Sequence, residues 1–178
     1  HGNPVHQGEV GELAVYGPGV MLCYYKNPEA TNDVLKGDWL WTGDMARMDE
    51  DGFIYLVDRK KDVVISGGEN LYPVQIEDFL RGFDKIKDVA VIGLPHPRLG
   101  EIAAAIVEVK EGMTCTVEEM DEYIKSHMAR HKVPKYIEFV DSFPMNAAGK
   151  ILKYKMREEA AQRLGLTGDG SDTAGPGK

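Results

Sequence analysis

At 178 residues the chain has room for one sizeable domain, or for one small domain with part of another. Hydrophobic residues make up 43% and charged residues 28%, ordinary for a globular protein and unlike a disordered or fibrous one. The net charge of −8 argues against a nucleic-acid partner, and the longest apolar run, Ile102 to Val107, falls far short of the about 18 residues a membrane span needs.

Gly11 to Pro18 alternates polar and apolar residues and ends at a Gly-Pro breaker, which predicts a short strand. Asn27-Pro28 opens a brief helical turn, with proline at a first-turn position. Asp49-Glu50-Asp51-Gly52 separates the apolar runs Met45–Met48 and Phe53–Val57, the pattern of a hairpin. Residues 1–57 carry 3 basic and 9 acidic side chains, a balance of −6, which leaves −2 for the remainder. Few of their side chains can close a core. They read as β-rich remnants of a larger domain.

A different pattern begins at Asp58. Val63-Val64-Ile65 is a strand leading into the glycine loop Ser66-Gly67-Gly68-Glu69-Asn70. Pro73 starts a helix whose Ile76, Phe79, Leu80 and Phe83 share one face. Val89–Leu94, Ile102–Val109 and Tyr136–Val140 are strands of buried character. Thr116 and Glu119 form a capping box for a helix whose core stripe is Val117, Met120, Ile124 and Met128. A last helix covers Leu152 to Leu164 and stops at Gly165. The expected fold is α+β: a small domain with a two-stranded piece, a three-stranded sheet and helices packed on it, over residues 58–164. Residues 165–178, rich in Gly, Asp, Ser and Thr, are expected to be disordered.

Cys23 and Cys115 match no metal spacing and read as two reduced thiols of an intracellular protein. His127 and His131 stand four apart, but Lys132-Val133-Pro134 ends that helix and no acidic partner is placed, so no metal is assigned. The chain begins with His1 rather than methionine, so the absence of a targeting signal decides nothing.

Three motifs carry chemistry. Asn146-Ala147-Ala148-Gly149-Lys150 puts one lysine on a glycine-containing turn after Phe143-Pro144. It is no Walker loop, because Pro144 stands where glycine is needed and Ile151 where Ser or Thr is needed. Lys150 reads either as a solvated lysine at a helix start or as a mobile cation that neutralises charge developing on a carboxylate or phosphate. In Trp41-Thr42-Gly43-Asp44, Asp44 is either a turn cap or a planar acceptor for two vicinal hydroxyls. Arg59, in Asp58-Arg59-Lys60-Lys61-Asp62, is one more solvated charge or a multi-donor grip on ribose or phosphate oxygens. Gly67-Gly68 is a plain turn or a place where backbone approaches a ligand closely.

Taken in this order, and joined by Gly11–Pro18, Tyr25–Thr31, Ser66–Pro73 and Gly93-Leu94-Pro95-His96-Pro97 with Gly100-Glu101, these motifs resemble the C-terminal portion of the acyl-adenylate-forming enzymes. That superfamily comprises acyl-CoA synthetases, luciferases and peptide-synthetase adenylation domains. The run Gly67 to Pro73 is most similar to acyl-CoA synthetases. The resemblance implies an acid–thiol ligase that joins a carboxylate to coenzyme A through an acyl-adenylate, at the expense of Mg-ATP. It implies that residues 1–57 end the large AMP-binding domain and residues 58–164 form the mobile small domain. Asp44 would bind the ribose hydroxyls of ATP and AMP with help from Arg59. Lys61 would be the hinge. Lys150 would be the catalytic cation of adenylation, and the Gly67-Gly68 loop would face the coenzyme A side. Mg²⁺ ligands, phosphate loop, adenine site and acyl pocket are expected upstream, in the N-terminal domain with which this one would work, so the chain alone is expected to be inactive. A cytoplasmic location is implied. A ligase with another acceptor, such as a carrier protein, and a non-catalytic adaptor of the same fold are the alternatives. Cys23, Asp58 and Ala148 depart from the family pattern, where glycine, glycine and a hydroxyl residue are usual, and none removes a proposed functional side chain.

Overall fold

The computed structural model describes residues 2–129 and 132–166, arranged as two units. The first runs to Val63 and includes Tyr72–Gln75; the second takes Val64–Leu71 and continues from Ile76.

In the first unit, β1 (Val10–Tyr16) pairs antiparallel with the long β3 (Trp39–Met48). Between them lie α1 (Pro28–Val34) and the two-residue β2 (Leu35–Lys36). The Asn27 side chain accepts from the Ala30 amide and caps α1, with Pro28 following at the first helical position as expected. β2 takes one end of the free edge of β3, and β4 (Ile54–Arg59) takes the other. Asp49 makes the β3–β4 turn: its carboxylate accepts from the Asp51 and Phe53 amides. Ala46, Val57 and Pro73 are the buried apolar side chains of this unit among the described residues, whereas Tyr25, Phe53, Ile54 and Leu56 lie open. The unit thus holds little core of its own, as its composition suggests.

The second unit holds the core. β5 (Val64–Ser66) and β6 (Glu69–Leu71) form a hairpin, and β7 (Ile86–His96) and β8 (Gly100–Val109) a longer one. β9 (Tyr136–Val140) pairs parallel with β8, which requires a crossover, and α3 (Val117–His127) supplies it. The two-stranded piece is paired with the other three strands at Ser66 opposite Gly100, so the two expected parts count as one five-stranded sheet.

Both faces of this sheet are covered, and successive residues take opposite sides. Val89, Val91, Ala103, Ala105 and Val107 pack with Ile76 and Leu80 of α2 (Pro73–Arg81) and with Met120 and Ile124 of α3. Ala90, Ile92, Leu94, Ala104 and Ile106 pack with Phe143 and with Met156 and Ala160 of α4 (Lys153–Arg163). Two-sided burial explains why β8 reads as a continuous apolar run rather than an alternating one. Tyr123 of α3 stacks between Phe79 and Phe83, with ring centroids 4.9 and 4.7 Å away, and binds α2 to α3.

The capping box at Thr116 is present in full: Thr116 accepts from the Glu119 amide, and the Glu119 carboxylate from the Thr116 amide. Lys85 donates to both oxygens of that carboxylate and, with the Thr116 amide, holds it below the usual glutamate range. The contribution of this cluster is therefore complete above the ordinary glutamate range and fades as pH falls through the lowered value. Thr116→Ala is expected to cost about 1 kcal/mol, read as a lower midpoint in urea unfolding. Val117, expected in the core stripe, is 43% exposed instead. As the first helical residue it lies beyond the covered stretch of α3, whose buried residues are Met120 and Ile124.

α4 ends as expected, but the chain stays ordered one step further. The Gly165 amide donates to Gln162 O and the Leu166 amide to Ala161 O, a Schellman cap, and Leu166 packs on the α4 cluster. The rest of the expected disordered tail lies outside the described residues.

Candidate functional site

Asp44 stands on an irregularity that the strand pattern does not reveal. β1 pairs Glu12 with Met45 and then Ala14 with Trp41, so Thr42, Gly43 and Asp44 face Leu13 alone. The bulge is stitched by the Thr42 hydroxyl, which donates to Leu13 O at 2.8 Å and accepts from the Asp44 amide at 3.1 Å. Across β3–β4, Asp44 pairs with Arg59 in register, and Arg59 Nε donates to Asp44 Oδ1 at 2.9 Å. The side chains are 29% and 52% exposed, so this pair contributes little stability and acts mainly to orient both groups. Asp44 Oδ2 and the terminal guanidinium nitrogens carry no further ion pair among the described residues. A carboxylate oxygen and a fork of donors thus face solvent side by side, which fits vicinal hydroxyls flanked by a phosphate.

Asp58 is almost fully buried, with Oδ1 accepting from the Arg59 amide at 2.7 Å and Oδ2 from the Val74 amide at 2.9 Å. It caps the first turn of α2 from sixteen residues away, which gives its departure from the family's glycine a structural reason. Lys60 pairs with Glu12 at 2.6 Å. Lys61 lies exposed in a single 3-10 turn, Lys60–Asp62, two residues before the division between the units.

Lys150 sits on a tightly closed loop of the second unit. Leu152 N donates to Pro144 O at 2.8 Å, Met145 bridges Ile151, and Asn146 N donates to Lys150 O at 3.0 Å. Inside the loop Asn146 Oδ1 accepts from the amides of Ala148 and Lys150, at 3.0 and 2.9 Å. Gly149 has φ +75°, a left-handed conformation that other residues adopt only at a cost. The Lys150 side chain is exposed, and its ammonium has no ion pair among the described residues. A fixed backbone thus presents a mobile charge.

Gly67 and Gly68 form the two-residue turn of the β5–β6 hairpin, with φ +59° and +87°. Positive φ at both central positions is the requirement of the turn that matches strand twist. Gly67 N donates to Leu99 O at 2.9 Å, tying this turn to the β7–β8 loop. Beneath it, Glu101 Oε2 accepts from the Ile65 amide, and a Cβ on Gly93 would come within 2.9 Å of Glu101 Oε1.

Asp44 and Arg59 are therefore in direct contact within the first unit, while Lys150 and Gly67-Gly68 occupy separate loops of the second. Sequence reasoning missed Thr42, Asp58 and Asn146 as the groups that hold them, although all three lie inside the quoted motifs. No group of three or more His, Cys, Asp or Glu among the described residues is arranged to hold a metal. His127 packs against Phe79 and Tyr123; His131 lies outside the described residues. Both cysteines are free, and no described helix is long and apolar enough to cross a membrane.

Residues 75–150 match the AMP-binding enzyme C-terminal domain, and the chain is similar to acyl-CoA synthetases and, in structure, to adenylate-forming enzymes. Among the proteins it matches, a long-chain-fatty-acid–CoA ligase of Yersinia pestis is 46% identical over 166 residues, 93% of this chain and 29% of the ligase. The crystal structure of ATP-bound MatB from Rhodopseudomonas palustris superposes with a TM-score of 0.81 at 34% identity, over 90% of this chain and 32% of MatB. The amide bond synthetase McbA from Marinactinospora thermotolerans gives 0.79 at 37%, over 88% and 32%. The chain thus spans less than a third of each protein, the part that carries this domain.

Proposed function

We propose that the chain works as the C-terminal part of an ATP-dependent acyl-CoA synthetase. A carboxylate oxygen attacks the α-phosphorus of ATP and expels pyrophosphate; the thiol of coenzyme A then attacks the acyl carbon of the adenylate and expels AMP. The Lys150 loop is the observation that carries this reading: a rigid turn offers an unpaired ammonium, as a group that enters another domain's cleft must. In this scheme Lys150 neutralises charge building up between the carboxylate and the α-phosphate. Asp44 Oδ2 accepts from the ribose hydroxyls while Arg59 keeps the carboxylate in its plane. Lys61, two residues before the division, is the pivot between the two half-reactions. Gly67-Gly68 then comes to the coenzyme A side, where bare backbone lets pantetheine pass closely. The open apolar side chains of residues 1–57 are covered by the remainder of the large domain, which also carries the Mg²⁺ ligands, phosphate loop and acyl pocket.

The test is expression of the full-length protein with ATP, coenzyme A and a panel of carboxylates, following pyrophosphate and thioester. Both products are expected. Pyrophosphate without thioester would favour a different acceptor, a reading to which the similarity to an amide bond synthetase gives weight. Neither product would favour a non-catalytic adaptor. Asp44→Ala is expected to raise the KM for ATP on the order of 10–100-fold, the scale of a lost hydrogen bond to a charged group, with thioester formation from preformed adenylate less affected. A KM unchanged in initial-rate assays would remove Asp44 from the nucleotide site.

A further inference from the structure

α4 begins in an unfavourable way. Its N-cap, Leu152, offers no side-chain hydrogen bond, and a lysine, Lys153, takes the first helical position, where the helix dipole disfavours a cation. The reason lies on α2. The Lys153 ammonium, its side chain only 18% exposed, is 2.7 Å from Oε1 of Glu77, one of the few buried charged groups of the chain. The same oxygen accepts from the Val91 amide of β7 at 2.7 Å, and Oε2 has Arg81 at 3.6 Å. One buried carboxylate thus joins α2, β7 and the first residue of α4.

We propose that Glu77 and Lys153 are a positioning pair for Lys150; this rests on the reading of Lys150 as the cation of adenylation. Lys153 follows Lys150 by three residues, no more than about 11 Å of chain. The ladder of Leu152 to Pro144, Met145 to Ile151 and Asn146 to Lys150 carries that anchorage up to the turn. Asn146 Oδ1 locks the tip. With the stalk bolted at its base and closed at its tip, the Lys150 Cα has one place and the ammonium alone moves. Entry into a cleft then leaves little backbone freedom to be lost. A solvated pair would not serve, because exposed lysines hold no fixed geometry.

The experiment compares Lys153→Met and Lys153→Arg in the full-length protein, with Lys150→Ala as reference. For Lys153→Met the kcat of pyrophosphate release is expected to fall at least tenfold, with the KM for ATP and thioester formation from preformed adenylate close to wild type. Lys153→Arg, which keeps a cation within reach of Glu77, is expected to restore most of the rate. In the same variants, hydrogen exchange at the Asn146 and Lys150 amides should accelerate at least tenfold in Lys153→Met, with the Val107 amide unchanged. Wild-type exchange at those two amides would overturn the proposal, as would equal loss of both half-reactions, which marks a merely structural pair. If Lys150→Ala released pyrophosphate normally, the role of Lys150 would fall, while accelerated exchange in Lys153→Met would still establish the anchorage.

Discussion

Under the proposed function, Lys150→Ala in the full-length protein is expected to slow pyrophosphate release by about 10²–10³-fold, the effect of removing one preorganised charge stabiliser, or on the order of 3 kcal/mol. The loop itself should survive the change. Its closure runs through Asn146 Oδ1, the Gly149 conformation and backbone bonds, none of which uses the lysine side chain. The ammonium is exposed, so truncation opens no cavity and strands no buried partner. Thioester formation from preformed acyl-adenylate should remain close to wild type, because in the proposed scheme the carboxylate is by then an uncharged acyl group and the charge built up at the α-phosphorus during pyrophosphate departure is gone. Single-turnover assays of the two half-reactions make the comparison directly. Equal loss in both would show that the lysine supports the fold or the domain movement rather than the first chemical step.

What could be read from the sequence was what is local. Caps are local, so the starts of α1 and α3 and the stop after α4 were legible from Asn27, Thr116 and Gly165. Two-sided burial was legible too, since Ile102 to Val107 carries no polar residue for either face to present to water. Lys150, Asp44 and Arg59 could be picked out because their motifs are short and ordered. Their supports were hidden for the opposite reason. The Thr42–Asp44 bulge depends on how many residues β1 places opposite, and no property of β3 alone announces that. Asp58 reaches Val74 across a turn, a hairpin and a helix start, and in sequence it looks like one more charge among Arg59, Lys60, Lys61 and Asp62. Val117 obeys the helical period yet stays exposed, because periodicity fixes the face of a residue but not whether anything covers that end of the helix.

Glu77 is the sharpest case, and the second large effect is expected there. It sits between Ile76 and Asp78 on a helix whose apolar face explains itself without it, and its partner Lys153 is far along the chain. Glu77→Ala is expected to destabilise the second unit by about 3–5 kcal/mol, because it removes the counter-charge of Lys153 and the acceptor of the Val91 amide together. Against a typical total of about 5–15 kcal/mol this is a large fraction, and the thermal midpoint should fall by well over 10 °C. Most of that loss comes from the groups left behind rather than from the net worth of the pair. The double variant Glu77→Met with Lys153→Met should accordingly recover much of it, leaving mainly the unpaired Val91 amide. A thermal or urea unfolding cycle on wild type, Glu77→Met, Lys153→Met and the double variant separates the contributions. If Glu77→Ala alone unfolded like wild type, the carboxylate would be solvated rather than buried, and its coupling to the Lys150 stalk would fall with it. If instead the double variant were as unstable as Glu77→Ala, the dominant loss would be the Val91 acceptor and not the lysine's counter-charge. A stable double variant that adenylates slowly would set the two functions of the pair apart: dispensable for holding the sheet and helices together, required for holding Lys150 in place.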